Sequence, residues 1–474
     1  LHELQARPDD PAALAAIPSL KLSDLNRKNI LIPIEEMEQD GVKVLYHDLP
    51  TNGIIYLDLG FDLHTLPREL LPYLPLFGRA LLELGTESED AIRLAQHIGR
   101  STGGISLDLF ATSVHGQPEA SAWMFLRGKA TLEKAPELLS ILKDVLLTAR
   151  LDSPERFRQM VLEEKAGQES ALIPGGHVIV LQRLRAHFDE TGFANEEMSG
   201  LSNLFFTRRL AQEAKEDWPS VLQRLETIRQ TLLNRTAALC NITVERSGLD
   251  SLQPALAQFF ASLPDRPTGH VLWTPGKLPT HEGLTLPAQV NYVGKAARLD
   301  GSTQPRGSAI VVNRYLGTTW LWEKVRAQGG AYGGFSVYDH LTGIFTFVSY
   351  RDPNLMSSLE TYDHTGDFLR SLELSEEELT RAIIGTIGDM DTYQLPDARG
   401  YTSLRRYLAG DTNEIRQQRR DEVLATTPAD FHAFGDALDA VRDHGLVAIL
   451  GGDEGIRSAN QHAGGKWLTI QKVM

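Results

Sequence analysis

Residues 321–334 read Leu321-Trp322-Glu323-Lys324-Val325-Arg326-Ala327-Gln328-Gly329-Gly330-Ala331-Tyr332-Gly333-Gly334. The run starts as an amphipathic helix, turns basic, stops at a glycine pair and then sets a tyrosine between glycines. Strand-like stretches follow near 332–338 and 344–350, then helical patterns near 353–371 and 376–391. The same order occurs upstream. A helical pattern over 88–100 leads to Gly103-Gly104, then strands near 105–111 and 122–128, then helices near 132–149 and 154–170. The glycine pairs lie 226 residues apart, as do Arg100 and Arg326. Arg127 and Arg351 differ by 224, and Ser153 and Ser375 by 222. Each serine suits a helix N-cap, with Glu155 and Glu377 two positions on. The shared order of elements, more than any single match, predicts an internal duplication.

The fold class expected is α+β: two homologous domains, each a largely antiparallel sheet covered by helices on one face. Residues 54–63 carry the clearest strand signal, with Ile55, Leu57, Leu59 and Phe61 alternating with Tyr56, Asp58, Gly60 and Asp62. That alternation predicts one face on a core and the other wetter. Further strands are expected at 31–35, 42–46, around Cys240, at 290–293 and at 446–450. Helices are expected at 67–84, 199–215, 219–235, 251–263 and 307–327, and residues 174–193 are ambiguous. Pro264, Pro267, Pro275, Pro279 and Pro287 make 264–287 the internal linker. The expected division is an arm over 1–24, a first domain over 25–265 and a second over 266–474.

The net charge of −15 argues against nucleic acid or an anionic membrane as partner, since phosphates need clustered Lys and Arg. No apolar run approaches the roughly 20 residues of a membrane span. The single cysteine, Cys240, permits no internal disulfide and reads as inert core. The chain opens on Leu1 rather than Met, so a longer parent protein is expected.

Common catalytic signatures are missing: no Gly-x-Ser-x-Gly, no P-loop and no dinucleotide fingerprint. The 14 histidines form neither His-Glu-x-x-His nor His-x-x-Glu-His. His177 and His187, ten apart on one straight helix, would stand ~15 Å apart along its axis and could not share a metal. Tyr338-Asp339-His340 and Tyr362-Asp363-His364 repeat a tripeptide, read as coincidence and surface hydrogen bonding. Attention therefore returns to 321–334. Glycines at Gly329, Gly330 and Gly333 bare the backbone for another chain, and a tyrosine at 332 can donate its phenol proton to a carbonyl or a developing oxyanion. The competing reading is a glycine C-cap, an Arg326 that answers the helix dipole and a tyrosine that packs. Arg326 has a counterpart in Arg100, whereas Tyr332 matches Ser106 and is peculiar to the second copy.

This motif resembles the C-terminal half of the inverzincin metallopeptidases, and more narrowly the presequence-peptidase branch related to insulin-degrading enzyme and pitrilysin. Tyr46-His47-Asp48-Leu49-Pro50-Thr51-Asn52-Gly53-Ile54-Ile55-Tyr56 is similar to the same branch, as is Leu76-Phe77-Gly78 through Leu84-Gly85-Thr86. The likeness covers roughly 25–474. It implies four similar domains of a processing-peptidase-like metallohydrolase fold, in two halves that close around a chamber. Zinc and its His-x-x-Glu-His motif would lie in the N-terminal half, so this chain would hold domains three and four, and 1–24 would end the joining hairpin. The resemblance implies that Tyr332 hydrogen-bonds the scissile carbonyl region and Arg326 helps hold the substrate backbone, with Gly329, Gly330, Ala331 and Gly333 lining the substrate. The expected activity is peptide hydrolysis by the full-length enzyme, this chain alone being inactive. Expected partners are the N-terminal half and peptides, basic ones if the net charge lines the chamber. A soluble, cytoplasmic protein is expected. Rival readings are a non-catalytic scaffold or peptide-binding subunit of the same fold, and an independent small-molecule enzyme.

Overall fold

The computed structural model describes residues 20–299 and 306–474. Most of the arm expected over 1–24 lies outside the described residues. Twelve strands are described: β1 (Glu35–Gln39), β2 (Val42–His47), β3 (Ile54–Asp62), β4 (Ile105–Ser113), β5 (Ala120–Thr131), β6 (Ala238–Thr243), β7 (His281–Thr285), β8 (Tyr292–Arg298), β9 (Gly333–Tyr338), β10 (Ile344–Tyr350), β11 (Leu446–Gly451) and β12 (Thr469–Lys472). They form two six-stranded sheets, ordered β1-β2-β6-β3-β5-β4 and β12-β7-β11-β8-β10-β9.

The five inner positions of the two orders are one topology used twice. β2 runs parallel to β6 as β7 does to β11, and the remaining pairs inward are antiparallel in both. Only the outer edge differs: β1 joins β2 as an antiparallel hairpin, whereas β12 returns parallel to β7. The register repeats as well. Gly60 faces Leu239 as Gly294 faces Ala448. Ser106 faces Arg127, and Tyr332 donates its N–H to the carbonyl of Arg351 at 3.4 Å.

The alternation in β3 works as its period demands. Ile55, Leu57, Leu59 and Phe61 all enter one core with the helices Leu74–Glu83, Ala135–Thr148 and Arg246–Ser262. The second sheet has an equivalent core beneath Arg306–Thr318 and Met356–Asp363. The opposite faces are not wet, because each is covered by a helix from the other half of the chain. Gly176–Arg185 lays Val180 and Leu184 on Tyr292, Ala296, Val348 and Ala448 of the second sheet. Pro396–Leu408 lays Leu404 and Leu408 on Leu45, Phe110, Phe125 and Leu239 of the first. Each of these buried leucines is worth about 1.5–3 kcal/mol. Both crossing helices pass a strand at a glycine. A Cβ on Gly176 would lie 2.4 Å from the Tyr292 ring, and one on Gly400 would lie 1.8 Å from Thr243 Oγ1.

Polar contacts mirror the exchange. Seven positions after each glycine stand Arg183 and Tyr407; Arg183 pairs with Glu282 on β7, and Tyr407 accepts from Lys43 on β2 at 2.8 Å. Arg183 is bidentate to Glu282 at 2.8 and 2.9 Å and reaches Glu196 at 2.8 Å, with side-chain exposures of 5%, 2% and 1%. Asp58, on the covered face of β3, accepts from Arg127 at 2.8 Å and from Asn241 at 2.9 Å.

Several expectations shift in detail. Residues 31–35 precede the first strand, which is Glu35–Gln39. The proline-rich stretch contains β7, a strand inside the sheet, between Pro279 and Pro287. Residues 174–193 resolve into the helix Gly176–Arg185 and the start of Glu190–Ser199. The expected helix over 307–327 is Arg306–Thr318 followed by a π-helical segment, Trp322–Gln328. Cys240 is fully buried in β6.

Candidate functional site

Arg326 sits inside that π-helical segment. Gly329 donates to Lys324 O at 3.0 Å, five residues back, and Gln328 Nε2 reaches Glu323 Oε1 at 2.8 Å across the same wide turn. Such turns are rare and occur mainly at functional sites. In the first copy the matching residue, Arg100, ends an ordinary α-helix, Ala91–Ser101.

The glycine pair closes the segment. Gly330 has φ +76°, the left-handed conformation that disfavours side chains. It donates to Arg326 O at 2.9 Å, and Ala331 donates to Val325 O at 3.1 Å. Ala331 and Gly333 are buried, and Gly333 starts β9 opposite Tyr350. The C-cap reading and the functional reading therefore both hold geometrically: the glycines cap the turn, and the cap throws Tyr332 outward. Tyr332 is 66% exposed. Its ring stands edge-on to Tyr350 at 5.5 Å, and the Arg326 guanidinium lies 5.9 Å from the ring centroid. At that range an exposed cation–π contact is worth ~0.5 kcal/mol. It orients both groups more than it stabilises the fold.

An open cavity of about 500 Å³ adjoins them, lined by Trp322, Arg326, Tyr332 and Arg351 among others. Its lining has two guanidinium groups and no carboxylate. A site with one phenol donor and two guanidinium groups suits carbonyl oxygens and carboxylates.

Sequence reasoning missed the supports of this site. Arg351 follows β10 in a left-handed conformation, φ +48°. In the first copy its counterpart Arg127 is committed to Asp58 and to the Tyr401 ring, 3.5 Å from the centroid. Asn354 donates to the Gly329 carbonyl at 2.6 Å. It is set in turn by Asp352, which accepts from the Asn354 N–H at 2.9 Å and from Ser358 Oγ at 2.6 Å. Burial raises the Asp352 carboxyl above its usual range, opposed by those hydrogen bonds. His177, on the first turn of the helix that crosses from the other half, packs edge-on to Tyr350 at 4.7 Å. Burial lowers its imidazole below the usual value, and Nδ1 has no hydrogen-bond partner among the described residues. The only signals were the Arg127/Arg351 match and a polar cluster after a strand.

Among the described residues, no group of three or more His, Cys, Asp or Glu stands where it could hold a metal ion. Zinc therefore does not fit these residues, and no step is routed through it. The repeated tripeptides diverge: Asp339 pairs with Arg185 while Asp363 pairs with Lys295, and Tyr362 is buried.

With this geometry the comparisons with known proteins agree. Residues 1–210 match the family model for the region associated with M16 peptidases of subfamily C, and residues 281–452 match PreP C-terminal domain. Presequence protease 1, chloroplastic/mitochondrial, of Arabidopsis thaliana is 43% identical over 458 residues, covering 96% of this chain and 42% of the relative. Protein HypA of Clostridium perfringens is 28% identical over 459 residues, covering 96% of this chain and 47% of the relative. A crystal structure of a peptidase M16 inactive domain from Pseudomonas fluorescens has the same fold, with a TM-score of 0.64, 16% identity and coverage of 89% of this chain and 98% of that one. The chain belongs to the M16 (pitrilysin/insulysin) peptidase superfamily and is homologous to the C-terminal part of presequence protease. It spans less than half the length of these two curated relatives. The cytoplasmic expectation is corrected by the Arabidopsis relative, whose name places it in chloroplasts and mitochondria. Among the described residues no helix is long and apolar enough to cross a membrane.

Proposed function

We propose that this chain is the substrate-binding half of a zinc-dependent metalloendopeptidase that degrades peptides in a closed chamber. The zinc and the general base belong to an N-terminal half that pairs with it. Tyr332 donates its phenol proton to the scissile carbonyl region, and Arg326 holds the substrate backbone beside Gly329, Gly330, Ala331 and Gly333. The observation that carries this reading is the capped turn that presents an exposed Tyr332 and a guanidinium to one cavity. The division into an arm over 1–24 and domains over 25–265 and 266–474 belongs to the same proposal. Preference for basic peptides rests on the net charge of −15 alone. The cavity beside Tyr332 is cationic, so the acidic surface would have to lie elsewhere in the chamber.

The test is recombination. The pure chain with added zinc should cleave no peptide, and adding the zinc-bearing half should give chelator-sensitive cleavage. Cleavage by the pure chain, or no gain on recombination, overturns the split-site reading. A scaffold role is the second reading, favoured by the likeness to a structure described as an inactive domain. It requires that Tyr332→Phe leave the recombined activity unchanged.

A further inference from the structure

Two neighbouring cavities, of about 350 and 460 Å³, share Ile32, Arg406 and Arg416 in their walls. They share no residue with the cavity beside Tyr332. Arg406 lies near the end of the crossing helix Pro396–Leu408, and Arg416 lies on the helix Asn413–Leu424. Arg416 is 9% exposed, and its described side-chain bond is one to Asn413 Oδ1 at 3.3 Å. Arg406 is half-buried and has neither an ion pair nor a side-chain hydrogen bond among the described residues.

The carboxylates around them are engaged elsewhere. Asp391 binds Arg420 at 2.7 and 2.8 Å, Asp411 binds Arg419 at 2.5 Å, and Asp389 binds Arg314 at 2.8 Å. Glu36 accepts from Tyr407 at 2.8 Å and lies 3.6 Å from Lys43. Glu414 is exposed and turned to Thr412. Burial, with Arg416 next, pulls the Arg406 guanidinium down to about 10. A buried cation without a counter-charge costs several kcal/mol, so two of them facing one space call for an anion. The positive N-terminal end of the helix Asn413–Leu424 opens into the smaller cavity. Ile30 and Tyr393 leave apolar surface exposed at the rim of the larger one.

The duplication supplies a comparison. Six residues after Gly176, the counterpart of Arg406 is Gln182, satisfied by Asn195 O at 2.6 Å and Ser199 Oγ at 2.8 Å. The crossing helix therefore needs no cation at this position in order to pack.

We infer that the joined cavities bind a small organic oxyanion, its carboxylate or phosphate group gripped between Arg406 and Arg416 and its carbon skeleton laid on Ile30, Ile32 and Tyr393. The planar guanidinium fork suits either group, and volumes of this size take small molecules. This site is independent of the peptidase proposal.

Isothermal titration of the full chain with inorganic phosphate and with glutarate tests it. One or both probes should bind saturably at one per chain, and phosphate alone or glutarate alone assigns the head group. Arg406→Gln and Arg416→Gln should each weaken binding at least about tenfold, as expected when a charge-assisted bond is lost. No binding of either probe at about 10 mM, far above the concentration at which a built site of this kind fills, or binding unchanged in both variants, overturns the inference. Folding is read by melting. Arg406→Gln without anion should melt no lower than the parent, because it relieves a repulsion. Anion at about ten times its dissociation constant should raise the parent's Tm by about 1–3 °C and leave the variant's unmoved. A lower melting point in the variant, with no anion effect on the parent, would make Arg406 a structural residue and end the proposal.

Discussion

Tyr332→Phe removes one atom from the centre of the candidate site. The ring keeps its edge contact with Tyr350 at 5.5 Å and its place 5.9 Å from the Arg326 guanidinium. The backbone bond to Arg351 O at 3.4 Å is untouched. Among the described residues the hydroxyl makes no hydrogen bond, and the side chain is 66% exposed, so stability should move by less than about 0.5 kcal/mol. Catalysis should respond differently. Loss of one donor to a developing oxyanion costs about 10²–10³ in kcat. The lower end, about 2.7 kcal/mol, is expected because Arg326 and Arg351 remain beside the same cavity. KM should change by less than about threefold, since an interaction made only in the transition state lowers kcat and kcat/KM together. The assay is steady-state cleavage of a quenched fluorescent peptide by the chain recombined with its zinc-bearing half, with a thermal melt of each variant. A kcat within about threefold of the parent would return Tyr332 to packing. A raised KM at unchanged kcat would make it a ground-state contact only.

Glu282→Ala leaves Arg183 buried against Glu196 alone, and the chain should lose about 3–5 kcal/mol in urea denaturation; a loss below about 1 kcal/mol would mean that the crossing helix is held by its leucines and not by this ion cluster. Asn354→Ala frees the Gly329 carbonyl, held at 2.6 Å, and should lower kcat/KM about tenfold by misplacing Tyr332 while costing less than about 1.5 kcal/mol of stability; unchanged kinetics would remove Asn354 from the site. Burial lowers the imidazoles of His47, His177, His187 and His281, and lowers that of His340 to about 4. A lowered value in the fold means the unfolded chain takes up protons first, so stability should be full above the usual ~6.5 and fall as pH drops toward about 4. His64, raised by Asp62 and Glu190 against its burial, opposes this weakly, and a urea midpoint that rises as pH falls from about 7.5 to about 5 would refute the sign.

The two copies were legible because their signals are local. A glycine pair after a helix, alternating residues over 54–63 and a serine before Glu376 report backbone conformation at their own positions. The site motif was legible for the same reason: Gly329, Gly330 and Tyr332 sit within one turn. The strand β7 was not, because Pro279 and Pro287 flank it and its five residues do not alternate. The π-helical turn was hidden as well, since Trp322–Gln328 keeps a helical pattern whether each turn is ordinary or wide.

By itself, then, the sequence determined two α+β copies, the capped turn and the residues it displays, since these depend on neighbours within a few positions. Only the tertiary structure decided that each sheet is covered on its second face by a helix from the other half, because a helix's period shows that it has an apolar face but not which sheet that face meets. The same packing brings His177 beneath Tyr350, ties Gly329 to Asn354 and sets Arg406 and Arg416 in the walls of the same two cavities. These are meetings of residues far apart in the chain, and burial acts on their charges only after the fold has brought them together.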